Sequence, residues 1–152
     1  MIYQDDPDFT STEDHFGCCL FSTAYLALKA TGALDQFITD NMKSWLATDE
    51  ANQVIGADDY LENPQAWLDT VAGPGKLVYL DTVLPADYVP QQCEFVVDYI
   101  YNPDTKFHHF VVGWQPGGDC EYDPLNSDNG HGSYTAHGPK TYIESRRGFK
   151  LA

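Results

Sequence analysis

The chain reads as an α+β protein in which N-terminal helices, one of them a buried central helix, pack on a C-terminal antiparallel sheet. Three observations lead there. Apolar residues fill nearly every position from Leu20 to Ala30 and recur at helical spacing from Leu34 to Leu46. From Lys76 onward the texture changes to short β-branched and aromatic runs broken by Pro, Gly, Asn and Asp. Helices come first and strands afterwards, an order that gives segregated layers instead of alternating βα units. With 152 residues, 43% of them hydrophobic and 14% aromatic, the chain has material for one core, so a single domain spanning 1–152 is expected.

Each element has its own signal. Residues 1–16 are polar and turn-rich, with Pro7 and a Ser11-Thr12-Glu13-Asp14 cluster, and are expected to form an irregular lead-in. A helix opens near Cys18, is apolar on most sides through Ala30, and stops at Thr31-Gly32. Leu34, Phe37, Ile38, Met42, Trp45 and Leu46 predict a second, amphipathic helix. Asn63-Pro64 offers a cap and a proline for the first helical position, and Ala66, Trp67, Leu68 and Val71 carry a third helix to Gly73. Strands are expected at 77–83, 93–101, 109–114, 121–123, 141–145 and 148–151, with Gly138-Pro139 turning the chain before the fifth. Asn102-Pro103-Asp104 is a tight link, which pairs the second and third strands as an antiparallel hairpin.

Charge and cysteine usage narrow the functional classes. A formal net charge of -15 repels nucleic acid, anionic membrane and teichoic acid alike, so none of these is an expected partner. The charge is spread along the chain and reads as a solvated acidic surface. No apolar run approaches the ~20 residues that cross a bilayer. The amino terminus, with Asp5, Asp6 and Asp8, lacks the basic-then-apolar layout of a secretory signal. The expectation is synthesis in the cytoplasm without membrane insertion, compatible with release by lysis or packaging in a virion. Cys18, Cys19, Cys93 and Cys120 are expected as free thiols, and without CxxC or HExxH no metal or cofactor is expected. Asp123, Asn126 and Asp128 offer oxygen ligands but lack the twelve-residue calcium loop. The glycine-rich segment 128–132, with His131 and nearby His137, reads as a surface loop. The doublet Arg146-Arg147 either binds a carboxylate or makes internal salt bridges; inspection does not separate the two.

A cysteine within an apolar helix is ordinarily a small packing residue. Cys18 differs by position and company. At a helix start, unsatisfied N–H groups and the positive end of the helix dipole favour the thiolate, and a histidine alongside would complete its activation. Cys19 points about 100° away on the same helix, so one thiol faces a cleft while the other is buried. His108 and His109 alternate across their strand, so one of them faces the thiol, and His109 is the expected one.

Gln4 ahead of Gly17-Cys18, Ser22 and Ala24 in the helix, the run His109-Phe110-Val111-Val112, and Asp123-Pro124 together resemble the papain-like cysteine peptidases. Within them the likeness is to the bacteriocin-processing (double-glycine leader) peptidases and their relatives. In that group a glutamine precedes a Gly-Cys-Gly-Pro-Thr/Ser segment opening the central helix, and a later His-Phe-Val-Val strand is followed by Asp-Pro. The order agrees throughout, over roughly residues 1–30 and 93–125. The glycine after the nucleophile is Cys19 here and the proline is Leu20, which puts side chains where glycine leaves space for substrate.

The resemblance implies a papain-like fold and a cysteine peptidase or amidase acting on a peptide or protein substrate, peptidoglycan stem peptides included. Cys18 would attack the carbonyl, His109 would hold and later deliver the proton, and Asp123 would orient the imidazole. Gln4, with a backbone N–H near Cys18, would receive the oxyanion. Acyl transfer to an amine uses the same residues. The alternative of another class is a catalytically inactive papain-like module that binds a peptide or partner protein.

Overall fold

The structure is a computed structural model that describes residues 1–116, 118–125 and 138–152. His131, His137, Asn126, Asp128 and the glycine-rich segment lie outside these residues. Among the described residues, helices α1 (Ser11–Phe16), α2 (Cys18–Ala30), α3 (Thr39–Ala51) and α4 (Pro64–Ala72) precede strands β1 (Leu77–Pro85), β2 (Glu94–Asn102), β3 (Phe107–Val111) and β4 (Tyr142–Leu151). The strands form one antiparallel sheet in the order β1-β4-β2-β3, which leaves β3 at an edge. No helix among the described residues is long and apolar enough to cross a membrane.

The central helix is buried from Leu20 to Leu28 without interruption, as its composition requires, and packs along β2 and β3. Helix α4 keeps both of its expected ends. Asn63 accepts the Ala66 N–H at 3.1 Å, and Gly73 leaves the helix at φ 99°, a left-handed conformation that glycine enters at little cost. Between the helices and the sheet lies the main core, in which Trp67, Phe21, Phe149, Leu20 and Met42 are fully buried. A smaller cluster of Ile100, Val111 and Trp114 forms separately, with Ile143 and Cys120 against it. The hairpin of β2 and β3 is tied by Asn102, whose Oδ1 accepts the Asp104 N–H at 2.9 Å.

Four expectations fail for tertiary or local reasons. The lead-in holds helix α1, because Thr10 and Glu13 are spaced as a capping box and the Glu13 carboxylate accepts the Thr10 N–H at 3.4 Å. The second helix is split into a 3-10 turn at Leu34–Gln36 and α3, with extended backbone at Ile38. That break drops Phe37 into a buried edge-on contact with Tyr25 and Tyr122, at ring-centroid distances of 5.9 and 5.6 Å, while Ile38 turns outward. The segments 141–145 and 148–151 are one strand, β4. Gly148 does not interrupt it: a Cβ there would lie 2.9 and 3.0 Å from the Leu84 and Leu80 methyls, so this glycine lets β1 side chains approach. The segment 121–123 contributes only an isolated bridge between Val112 and Tyr122.

Candidate active site

Helix α1 ends at Phe16 and α2 begins at Cys18, leaving Gly17 as the whole connection. A Cβ on Gly17 would lie 2.7 Å from the Glu13 carbonyl oxygen, so only glycine lets the chain fold back this tightly and set a cysteine on the first position of a long helix. One turn further, Ser22 Oγ donates to the Phe110 carbonyl at 3.1 Å. That bond docks the start of α2 onto the edge strand beside His109.

His109 is 1% exposed, and its Nε2 lies 2.6 Å from Asp123 Oδ1. The Cys18 thiol acts on the same ring, through hydrogen bonding and charge that favour the imidazolium. Burial pushes the imidazole down, but hydrogen bonds to Asp123 and Cys18 and their negative charges outweigh it and hold the ring up at about 10. Asp123 Oδ1 also accepts the Leu125 N–H at 2.9 Å, which fixes its rotamer.

The segment carrying Asp123 is anchored by its neighbours. Val112 and Tyr122 exchange backbone hydrogen bonds, and the buried Tyr122 ring stacks on Tyr25 of α2 at 4.5 Å. Tyr122 Oη donates to the Ile2 carbonyl at 2.9 Å, and the Gln4 N–H donates to the Pro124 carbonyl at 2.9 Å. The amino terminus, the Asp123 segment and α2 therefore hold one another.

Gln4 is buried, and its Nε2 donates to the Glu13 and Asp14 carbonyls at 2.9 Å each. Both amide N–H groups are thus committed to the last turn of α1, immediately before Gly17-Cys18. Donation to an oxyanion would require giving one of them up, and the bonds as they stand make Gln4 a brace for the turn that presents the thiol.

The neighbours of the two central residues are placed differently. His108 stacks between Tyr99 and Tyr101, at centroid distances of 5.1 and 4.4 Å, with Nε2 3.3 Å from Glu144. Cys19 is half-buried, and desolvation, followed by the charge of Cys18, pushes its thiol up to about 12. Burial and then the charges of Asp123, Asp119 and Asp98 do the same to Cys120. These two thiols stay protonated at neutral pH. All four cysteines are free.

Cys18 and Cys19 open onto a cleft of ≈ 660 Å³ between the α1–α2 junction, the 58–64 segment and the sheet. Two groups in its lining carry no decisive signal in the sequence. One is Arg147 with Tyr99 and Phe110. The other is acidic: Asp58, Asp59 and Glu62 in the segment after α3, and Asp81 on β1. No periodicity marks either group: the first gathers by pairing across β4, β2 and β3, and the second comes from the 58–62 segment and β1 around the same cleft.

Asp59 is buried, and one oxygen from each of Glu13, Glu50 and Asp59 lies within 4.8 Å of the others. Desolvation, then the Glu13 charge, raises its carboxyl to about 7. The folded protein therefore keeps a proton that the unfolded chain has released between pH ~4 and ~7, so this group's contribution to stability declines as pH rises through that window. Asp59→Asn is expected to be more stable than the parent by on the order of 2 kcal/mol at pH 8, with the gap closing near pH 3.5. Urea unfolding at the two pH values measures it.

Comparison of the chain with protein-family models, with curated proteins and with solved structures finds no match in any of the three.

Proposed function

We propose that the chain is a cysteine peptidase or amidase of papain-like type that hydrolyses peptide bonds through Cys18, His109 and Asp123. The observation that carries this reading is the 2.6 Å contact of His109 Nε2 with Asp123, on a ring that also engages a thiol at the start of a thirteen-residue helix. Cys18 and Asp123, 105 positions apart in the chain, both act on one imidazole, and a packing role explains neither the buried ion pair nor its orientation.

The chemistry follows from the positions. Cys18 Sγ attacks the carbonyl carbon as a thiolate, with its proton on His109. Asp123 holds the ring in the plane and tautomer that aim Nδ1 at sulfur. The oxyanion forms near the first N–H groups of α2, which have no acceptor within the helix, and Gln4 fixes the turn that presents them. His109 then gives its proton to the leaving amine, and water attacks the thioester to release the acid. Because His109 is sealed from solvent, Cys18 is the member of the group that meets substrate in the cleft.

Iodoacetamide labelling at neutral pH, read by mass spectrometry, tests the nucleophile. Cys18 is expected to be modified well ahead of Cys19, Cys93 and Cys120, and that selectivity is expected to vanish in His109→Ala. Slow labelling spread evenly over all four cysteines would favour the binding module. Incubation with a peptide library and with purified peptidoglycan, with Cys18→Ala as the blank, identifies the substrate class.

A further inference from the structure

We propose that Arg147 is the carboxylate-binding residue of this cleft, so that the peptide acted on carries a carboxylate, as an acidic side chain or a chain terminus, that sits in the same cleft as the bond Cys18 attacks. The statement about the bond rests on the function proposed above; the statement about binding does not.

Adjacent arginines on β4 point to opposite faces of the sheet, and their partners differ. Arg146 is consumed internally: its Nε donates to Asp98 Oδ1 at 2.9 Å and its Nη1 to the Tyr88 carbonyl. Arg147 lines the cleft, with its guanidinium 5.6 Å from the centroid of Tyr99 and 5.7 Å from that of Phe110. Nη1 donates to Ser145 Oγ at 2.9 Å and to the Arg146 carbonyl at 3.3 Å. Nε and Nη2 have no protein acceptor among the described residues, and no carboxylate of those residues lies within ion-pair distance.

That is an unusual state for a half-buried cation in a chain of net charge -15, where carboxylates outnumber basic groups heavily. Two aromatic faces offset part of the desolvation and hold the guanidinium plane still. A planar fork held in this way, with donors unspent, matches the two oxygens of a carboxylate. Tyr99, whose ring the guanidinium faces, lines the same cleft as Cys18, so fork and nucleophile share one space. Asp58, Glu62 and Asp81 share the cleft and disfavour a second carboxylate on the ligand.

The test separates binding from turnover. Position-scanned peptide pools carrying Glu or Gln at each position, with free or amidated carboxyl termini, are passed over immobilised Cys18→Ala protein and the retained peptides are quantified by mass spectrometry. Acid forms are expected to be retained about tenfold or more over their amide counterparts, the advantage of hydrogen bonds to a charged group. Arg147→Gln in the same background is expected to remove that preference. Arg147→Lys is expected to keep part of it, since charge survives but the fork does not. Equal retention of acids and amides, or an unchanged preference in Arg147→Gln protein whose circular dichroism matches the parent, would overturn the proposal. Iodoacetamide labelling of Cys18 in Arg147→Gln is expected to match the parent, so a loss of the peptidase reading would show in labelling and a loss of the carboxylate site in retention.

Discussion

A His109→Ala variant is expected to hydrolyse peptide ~10²–10⁴-fold more slowly than the parent, the range in which a positioned acid–base group contributes. The loss falls on two steps at once, because the same ring takes the thiol proton and later supplies the amine with one. Asp123→Ala tests the origin of the effect. His109 stands at about 10 only because hydrogen bonds and charge from Asp123 and Cys18 outweigh its burial. The imidazolium therefore persists from acid through neutral pH and is lost only as pH rises through about 10. Without Asp123 the alkaline limb of the kcat/KM profile is expected to move down toward the ordinary histidine value of ~6.5, and the maximal rate to fall with it. Asp123→Ala activity that falls with the alkaline limb unmoved would assign Asp123 to packing alone.

What was legible in the chain were features decided by local chemistry. The buried central helix and the capped α4 follow from composition and from Asn63-Pro64, and the sheet follows from the change of texture after Lys76. The breaks were not legible where distant groups decide them. Phe37 leaves a helical register because Tyr25 and Tyr122 offer it a buried slot, and Tyr122 is far along the chain. Gly148 looks like a stop but sits mid-strand, because its missing side chain is matched to Leu80 and Leu84. Helix α1 was legible in principle, since Thr10 and Glu13 carry a capping-box spacing inside a stretch that otherwise reads as turn.

The candidate site divides in the same way. Cys18, His109 and Asp123 occur in an informative order, and the structure sets His109 Nε2 against Asp123 while the Cys18 charge acts on the same ring. The choice between His108 and His109 turns on strand parity and on Asp123, of which only the parity is visible in sequence. Gln4 lies ahead of the Cys18 helix as expected, but its hydrogen bonds run to α1, a helix set in a stretch that reads as turn. The two arginines were indistinguishable on paper because a one-residue step along a strand exchanges the faces of a sheet.

Removing the partner of the internal arginine is expected to have the largest effect on stability. Asp98 sits mid-strand in β2 and is 2% exposed. Its two oxygens accept from Arg146 Nε and from the Trp114 N–H, each at 2.9 Å. Burial raises this carboxyl, and the Trp114 N–H and the Arg146 charge oppose that rise. Asp98→Ala leaves a mostly buried guanidinium without its anion, together with a buried backbone donor without its acceptor. The expected loss is ~3–5 kcal/mol, the cost of breaking a buried pair from one side, against a total of ~5–15 kcal/mol for an ordinary domain. Asp98→Asn keeps an acceptor for Trp114 and is expected to lose less, which separates the charge from the hydrogen bond in urea unfolding. Arg147→Gln, one residue along the strand from the affected cation, is expected to unfold within ~0.5 kcal/mol of the parent, because no carboxylate is orphaned by it. Comparable losses from Asp98→Ala and Arg147→Gln would mean that both arginines are structural, and the division of labour on β4 would fail with them.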